Sequence, residues 1–249
     1  MLTNLRTSLL IVAAVIVSLS AVAQYADAAV TPLGLWPLDG LQDVSPQGNH
    51  LTNNGGAAFG AGQVGGAVDL VDSMAFLSSA SADFQQDFTQ FSTGAWVKLN
   101  QGASDAGVIT DGGDNFPWDI TVHNSTIFAY VNNGGNAAQS GLAPNNDGWT
   151  HIARTFDGTN IKLYVNGNLV DDKISNSAST GAVSSPLRIG NDRSFFNGLI
   201  DEAFFFEGVL DEGQVRTLRD AGVRAFQIPE PATLSMLGIG AVGLLRRRR

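Results

Sequence analysis

Short apolar runs of strand length, each closed by a cluster of Gly, Asn, Asp or Ser, fill the chain from Val30 to Gln227. The runs are Leu33–Leu38, Ala67–Leu70, Ala75–Ser78, Phe91–Leu99, Gly107–Thr110, Trp118–Val122, Thr126–Val131, Trp149–Phe156, Ile161–Val165, Leu169–Asp171, Leu187–Ile189 and Leu199–Phe206. This punctuation predicts strands rather than helices along almost the whole segment. Asn166-Gly167-Asn168, set between Ile161–Val165 and Leu169-Val170, is the strongest hairpin signal, because Asn-Gly readily takes positive φ. A second turn is expected at Asp157-Gly158-Thr159-Asn160. Within Trp149–Phe156 neither alternating set is clearly apolar, which predicts a strand covered on both faces. Phe204-Phe205-Phe206 carries the same expectation. One helix is predicted, capped by Asp211, edged by Val215 and Leu218 and ended at Gly222. Many short antiparallel strands with one late helix make an all-β, two-sheet antiparallel sandwich or jelly roll.

Charge narrows the partners. The chain carries a formal −9, and the segment from Val30 to Gln227 holds nine Lys and Arg against twenty-one Asp and Glu. Nucleic acid needs clustered positive charge, so it is excluded as a partner. The same acidity argues against docking to anionic lipid and is compatible with divalent cations and with solubility outside the cell. There is no cysteine, so no disulfide contributes and stability rests on the core.

Both ends read as targeting. Arg6 is followed by the apolar run Leu9–Ala23 and by two A-x-A sites, Ala21-Val22-Ala23 and Ala26-Asp27-Ala28. This predicts a signal peptide over residues 1–28, cut by signal peptidase after Ala23 or Ala28, with an uncut signal anchor as the alternative. At the other end stand Pro229-Glu230-Pro231, an uncharged stretch Ala232–Leu245, and the terminal Arg246, Arg247, Arg248 and Arg249. The two prolines stiffen the motif into an exposed strip. As a helix the uncharged stretch would rise about 21 Å, short of the roughly 30 Å of a bilayer core. The arginines would stay cytoplasmic, which makes the stretch a brief inner-membrane contact. A plain tail anchor is the alternative.

These three parts in order, over residues 228–249, resemble the PEP-CTERM sorting signal. The resemblance implies processing by an exosortase, a membrane cysteine transpeptidase that cuts near the motif, with Glu230 the expected recognition residue. It also implies passage to the envelope surface or extracellular matrix. Residues 30–227 resemble a second family. The first segment is Leu35-Trp36-Pro37-Leu38-Asp39-Gly40 with Asp43–Asn49, followed by Gly62–Leu70, Phe91–Lys98, Gly148–Gly158, Tyr164-Val165-Asn166-Gly167 and Phe196–Glu202. In this order they are similar to laminin-G-like, concanavalin-A-like jelly rolls. One departure is Asp72-Ser73-Met74-Ala75-Phe76, where relatives often carry an Asp-Asp-Tyr-like run. The fold does not imply one function.

Catalysis lacks its usual constellations. Glu202, Glu207 and Glu212 are the three glutamates between Val30 and Gln227. The five-residue step from Glu202 to Glu207 puts them on opposite faces of a regular strand, unlike the facing carboxylates of glycosidases. No G-x-S-x-G elbow, cysteine nucleophile or H-E-x-x-H pair occurs, and His151 falls at a structural position of the family. For metal, the resemblance implies that Asp39 and Asp201 meet near the first and last strands, where relatives can hold structural calcium. Asn49 from the adjoining loop completes the candidate set, the alternative being turn capping. For sugar, an aromatic face with fixed polar partners is needed, and among Trp36, Trp96, Trp118 and Trp149 the choice falls on Trp118 beside Asp114 and Asn115. The expected protein is exported and non-catalytic, binding carbohydrate or a matrix polymer. The alternative is a structural matrix or adhesion component without a small ligand, and a glycan-active enzyme ranks below both.

Overall fold

The computed structural model describes residues 30–100, 106–113, 116–123, 126–132, 137–140 and 148–227. The predicted signal peptide, with Ala21, Ala23, Ala26 and Ala28, and the tail from 228 onward lie outside the described residues. Among the described residues, no helix is long and apolar enough to cross a membrane.

Among the described residues, fifteen strands form two antiparallel sheets. The larger contains β1 (Thr31–Trp36), β3 (Ala58–Ala61), β4 (Gly66–Asp69), β6 (Phe91–Leu99), β11 (Thr150–Phe156), β12 (Asn160–Val165), β13 (Asn168–Ile174) and β15 (Gly198–Glu207). Its order is β13-β12-β11-β6-β15-β4-β3, with β1 also paired to β15. The smaller contains β2 (Thr52–Asn54), β5 (Phe76–Ser79), β7 (Ala106–Thr110), β8 (Ile120–His123), β9 (Thr126–Tyr130), β10 (Ala137–Gln139) and β14 (Leu187–Ile189), in the order β10-β9-β8-β7-β14-β5-β2. The jelly-roll architecture is the one expected. Strands β2, β3 and β10 were not foreseen, because they are short and lack an alternating apolar face: every residue of β3 is exposed.

The larger sheet is covered twice. Its inner face meets the smaller sheet in a core containing Trp36, Phe84, Phe91, Phe156 and Phe205. Its outer face is sealed by α1 (Glu212–Ala221) and the 3-10 turn Val223–Phe226 over Leu35, Ala153, Tyr164, Phe204 and Phe206. Strand alternation sends Phe205 inward, stacked on Phe91 at 5.7 Å, and Phe204 and Phe206 outward beneath α1. In β11, Ile152 and Phe156 point to the inner core and Ala153 to the outer one, as a strand with two covered faces requires.

Helix α1 begins as predicted. Asp211 accepts from the Gln214 N–H while the Gln214 side chain accepts from the Asp211 N–H, a reciprocal cap. Gly222, at φ 73°, ends it. Arg216 and Arg219 donate to the carbonyls of Gly167 and Asn166, so the helix clamps the β12–β13 hairpin turn. Asn166 and Gly167 both hold positive φ, as an Asn-Gly hairpin demands.

Candidate functional site

Strand β9 turns Ile127 and Ala129 into the core and Phe128 and Tyr130 to the outside of the smaller sheet. The two outer rings stack at 5.8 Å with an 11° interplanar angle. His123, exposed at the end of β8, meets Phe128 edge-on at 5.9 Å. Phe116 leans on Tyr130 at 5.0 Å, and the Arg193 guanidinium lies 4.4 Å from the Phe116 ring centroid. Arg193 stands at the tip of a tight turn closed by the Asn191–Phe195 bridge and the Asp192 N–H to Ser194 carbonyl bond. The result is a strip of four rings crossing the outer sheet face, with the phenol of Tyr130, the imidazole of His123 and the guanidinium of Arg193 along it. Burial raises the Tyr130 phenol above its usual range, with the nearby Asp119 and Asp192 charges adding to it against a hydrogen bond to Thr121. It is therefore a neutral hydroxyl at neutral pH. Apolar ring faces bordered by fixed polar groups match the two chemical faces of a sugar ring.

A buried framework holds the strip from behind. Arg154, fully buried on β11, reaches across the sandwich and donates to the main-chain carbonyls of Trp118 and Tyr130. Its guanidinium lies 4.1 Å from the Phe91 centroid. Burial pulls its pKa to about 9, with Asp119 opposing. Asp119 is itself buried and accepts from the Asp111 N–H at 3.0 Å. Its carboxyl is pushed well above the usual range, first by burial and then by the Asp111 charge.

Of the sugar-site residues chosen from sequence, Trp118 falls away from this strip. Trp118 is wholly buried, edge-on to Phe205 at 5.1 Å, and offers no face to a ligand. Asp114 and Asn115 lie outside the described residues. The strip was missed because Thr126–Val131 reads as a strand without revealing which set of rings faces out, and because Phe116 and Arg193 are distant in sequence. The alternation of Phe128 and Tyr130 with Ile127 and Ala129 was the available signal.

The calcium set does not converge. Asp39 and Asp201 do share a loop: Asp39 accepts from the Gly66 N–H, and one Asp201 oxygen accepts from Gln63 and Val64 at 2.8 and 2.9 Å. The other oxygen of Asp39 accepts from Arg224 at 2.8 Å. Asn49 instead bonds to Leu33, Asp83 and Asp43, and none of its hydrogen bonds goes to Asp39 or Asp201. Among the described residues no group of three or more acidic, His or Cys side chains is placed to hold a metal. The second Asp201 oxygen is buried without a partner among the described residues, and burial raises that carboxyl to about 6.

Glu202 is the residue whose acidity looks most like that of a catalytic acid. Burial raises it to about 7. A strand bulge between Asp201 and Phe204, with Glu202 at φ 50°, turns its side chain under the 3-10 turn Val223–Phe226, where it accepts from the Val223 N–H. It is 2% exposed and faces no groove, and Glu207 is exposed at the end of β15.

A family model described as the concanavalin A-like lectin/glucanases superfamily matches residues 72–216, and one described as the PEP-CTERM protein-sorting motif matches residues 227–249. Among solved structures, the chain is similar to domain 4 of AbnA, a GH43 extracellular arabinanase from Geobacillus stearothermophilus, in complex with arabinotriose. Identity is 20%, coverage 77% of this chain and 99% of that one, and the TM-score 0.61. It is also similar to the binding domain of Paraclostridial Mosquitocidal Protein 1, at 15% identity, 77% and 52% coverage and a TM-score of 0.61. A third is the binding domain of botulinum neurotoxin DC in complex with SialylT, at 14% identity, 77% and 51% coverage and a TM-score of 0.59. The chain spans about half the length of these two toxin domains. At such identities the likeness is one of fold. No curated protein matches the chain.

Proposed function

The chain belongs to the concanavalin A-like lectin/glucanases superfamily, and from that premise we propose that it is an exported, non-catalytic glycan-binding protein of the cell envelope or extracellular matrix. The aromatic strip Phe116–Tyr130–Phe128–His123 on the outer face of the smaller sheet carries this reading. The arabinotriose and SialylT complexes of proteins sharing the fold lend support, without naming a ligand for this one. The PEP-CTERM match supports export, exosortase processing near Pro229-Glu230-Pro231 and retention of the basic run Arg246–Arg249 on the cytoplasmic side during a brief inner-membrane step. The division into residues 1–28, 30–227 and 228–249 belongs to the same proposal.

The test is a glycan array and pull-down with the 30–227 domain and its Phe128→Ala and Tyr130→Ala variants. Binding that falls at least tenfold in both variants, with unchanged thermal unfolding, supports the reading. Absence of glycan binding by the parent domain would leave the structural matrix role.

A further inference from the structure

The last described residues of the domain, Val223–Gln227, stand next to the sorting motif in sequence. The last turn is held by five contacts. Val223 donates its N–H to the buried carboxylate of Glu202. Arg224 pairs with Asp39 at 2.8 Å. The Phe226 ring meets Phe206 edge-on at 5.3 Å. Gln227 donates its side-chain amide to the Val44 carbonyl at 3.4 Å. The Gly222 N–H closes α1 on Leu218 at 3.0 Å. Val223 is fully buried and Phe226 is 8% exposed. Only Ile228 stands between Gln227 and Pro229, so even a fully extended chain puts the first residue of the motif within about 7 Å of Gln227. The sorting-motif match itself starts at residue 227.

A peptidase cleft takes its substrate as an extended strand of several residues. Here Val223–Phe226, just upstream of Pro229-Glu230-Pro231 in sequence, is wound into a 3-10 turn and packed on the larger sheet. We propose that the segment Val223–Gln227 is the upstream half of the site that the sorting transpeptidase occupies, and that the enzyme takes it only when this turn undocks from Glu202, Asp39, Val44 and Phe206. The inference rests on the reading of residues 227–249 as a cleaved sorting motif. Cutting an opened segment tracks the equilibrium population of the open form when opening is fast relative to cleavage. Processing rate is therefore set by the grip of the domain on its own last turn.

The experiment is pulse-chase of the full chain in the producing cell, following loss of the tail by intact mass. Four chains join the parent: Arg224→Ala, Phe226→Ala, a flexible Gly-Ser insertion of about six residues between Gln227 and Ile228, and the insertion combined with Phe226→Ala. Arg224→Ala should speed processing about two- to fivefold, the factor an exposed ion pair contributes. The insertion should speed it further, and Phe226→Ala should add nothing to the inserted chain. Equal rates in the parent, Arg224→Ala and inserted chains would overturn the proposal, as would slower processing on insertion, which would mean that the enzyme needs the domain held close. Because the insertion leaves the domain sequence intact, misfolding of Phe226→Ala does not undo the test. Glu230→Ala separates the two levels. If that variant is processed like the parent, the sorting reading fails; if it blocks processing while the grip variants change nothing, only the present inference fails.

Discussion

Arg154 on β11 donates its guanidinium to the Tyr130 carbonyl on the opposite sheet, so one buried cation fixes the strand whose outer rings form the candidate site. The same group caps the Trp118 carbonyl and stacks on Phe91. Substituting it strips two buried carbonyls of their donors and leaves Asp119 without its nearby cation. Arg154→Ala should therefore cost about 3 kcal/mol, as breaking a buried charge arrangement does. Arg154→Lys should recover little, because a single ammonium lacks the planar fork that spans two acceptors. Urea unfolding of the domain measures both, and near-wild-type stability of Arg154→Lys would refute the geometric account.

Trp118→Ala should act on the core and leave the ligand face alone. Removing a fully buried indole costs about 3–5 kcal/mol, whereas Tyr130→Ala at the half-buried strip should cost less than about 1.5 kcal/mol, the upper range of one aromatic pair. Denaturation midpoints compared with glycan affinity for the two variants give the contrast. Equal stability losses would place the strip inside the core.

His151 makes stability fall on the acid side. Burial, aided by the Arg219 charge and opposed by Asp220, lowers its pKa to about 3. The ring lies against Trp96 and Phe204, and its Nδ1 is buried without a partner among the described residues. The unfolded chain binds the proton more tightly than the folded one. The contribution is thus complete above pH 6.5 and is lost as pH falls from there towards 3, about 2 kcal/mol by pH 5. His151→Phe should flatten this part of the pH–stability curve, which thermal melts between pH 4 and 7 would reveal.

Glu202 runs the other way. Its folded pKa of about 7 lies above the ordinary 4.5, with burial the largest cause and Asp201 adding repulsion. Stability is full at low pH and declines as pH rises from 4.5 to 7. Glu202→Gln keeps an acceptor for the Val223 N–H without the buried charge. At pH 8 it should be more stable than the parent by on the order of 2 kcal/mol, with no gain at pH 4. A variant that is weaker at pH 8 would mean that the carboxylate charge itself holds the last turn.

Gly94 sits at the middle of the larger sheet, where an added methyl would lie 2.2 Å from the Ile152 carbonyl oxygen and 2.7 Å from Phe204. Backbone cannot retreat as a side-chain tip can. Gly94→Ala should destabilise by about 1–3 kcal/mol, measured by the shift of the urea midpoint.

Periodicity and turn chemistry were enough for the frame. Phe91–Leu99 and Leu187–Ile189 have the expected bounds, and Asp211 and Gly222 delimit α1. Ala58–Ala61 was not legible because it is a strand only through its pairing with Gly66–Asp69. Site residues were harder for a different reason. Trp118 stands after Phe116-Pro117 in a polar stretch and reads as exposed, yet its ring is needed against Phe205, some ninety residues away in sequence. Phe128 and Tyr130 read as ordinary strand residues, and their exposure follows only once Ile127 is known to face inward. Glu202 was set opposite Glu207 by regular strand alternation; the bulge at Asp201–Phe204 is a local irregularity that alternation alone does not announce.

The double cover of the larger sheet has a consequence for display. Val30, Val44 and Ala225 all pack into the cluster beneath α1, so the last described residues, up to Gln227, lie at that side of the domain. The aromatic strip lies on the far surface, a full sandwich thickness away. A support holding the chain by its carboxyl end would thus carry the domain like a tile on its backing, glazed side outward, and neighbouring copies could be crowded together without hiding one another's ring faces.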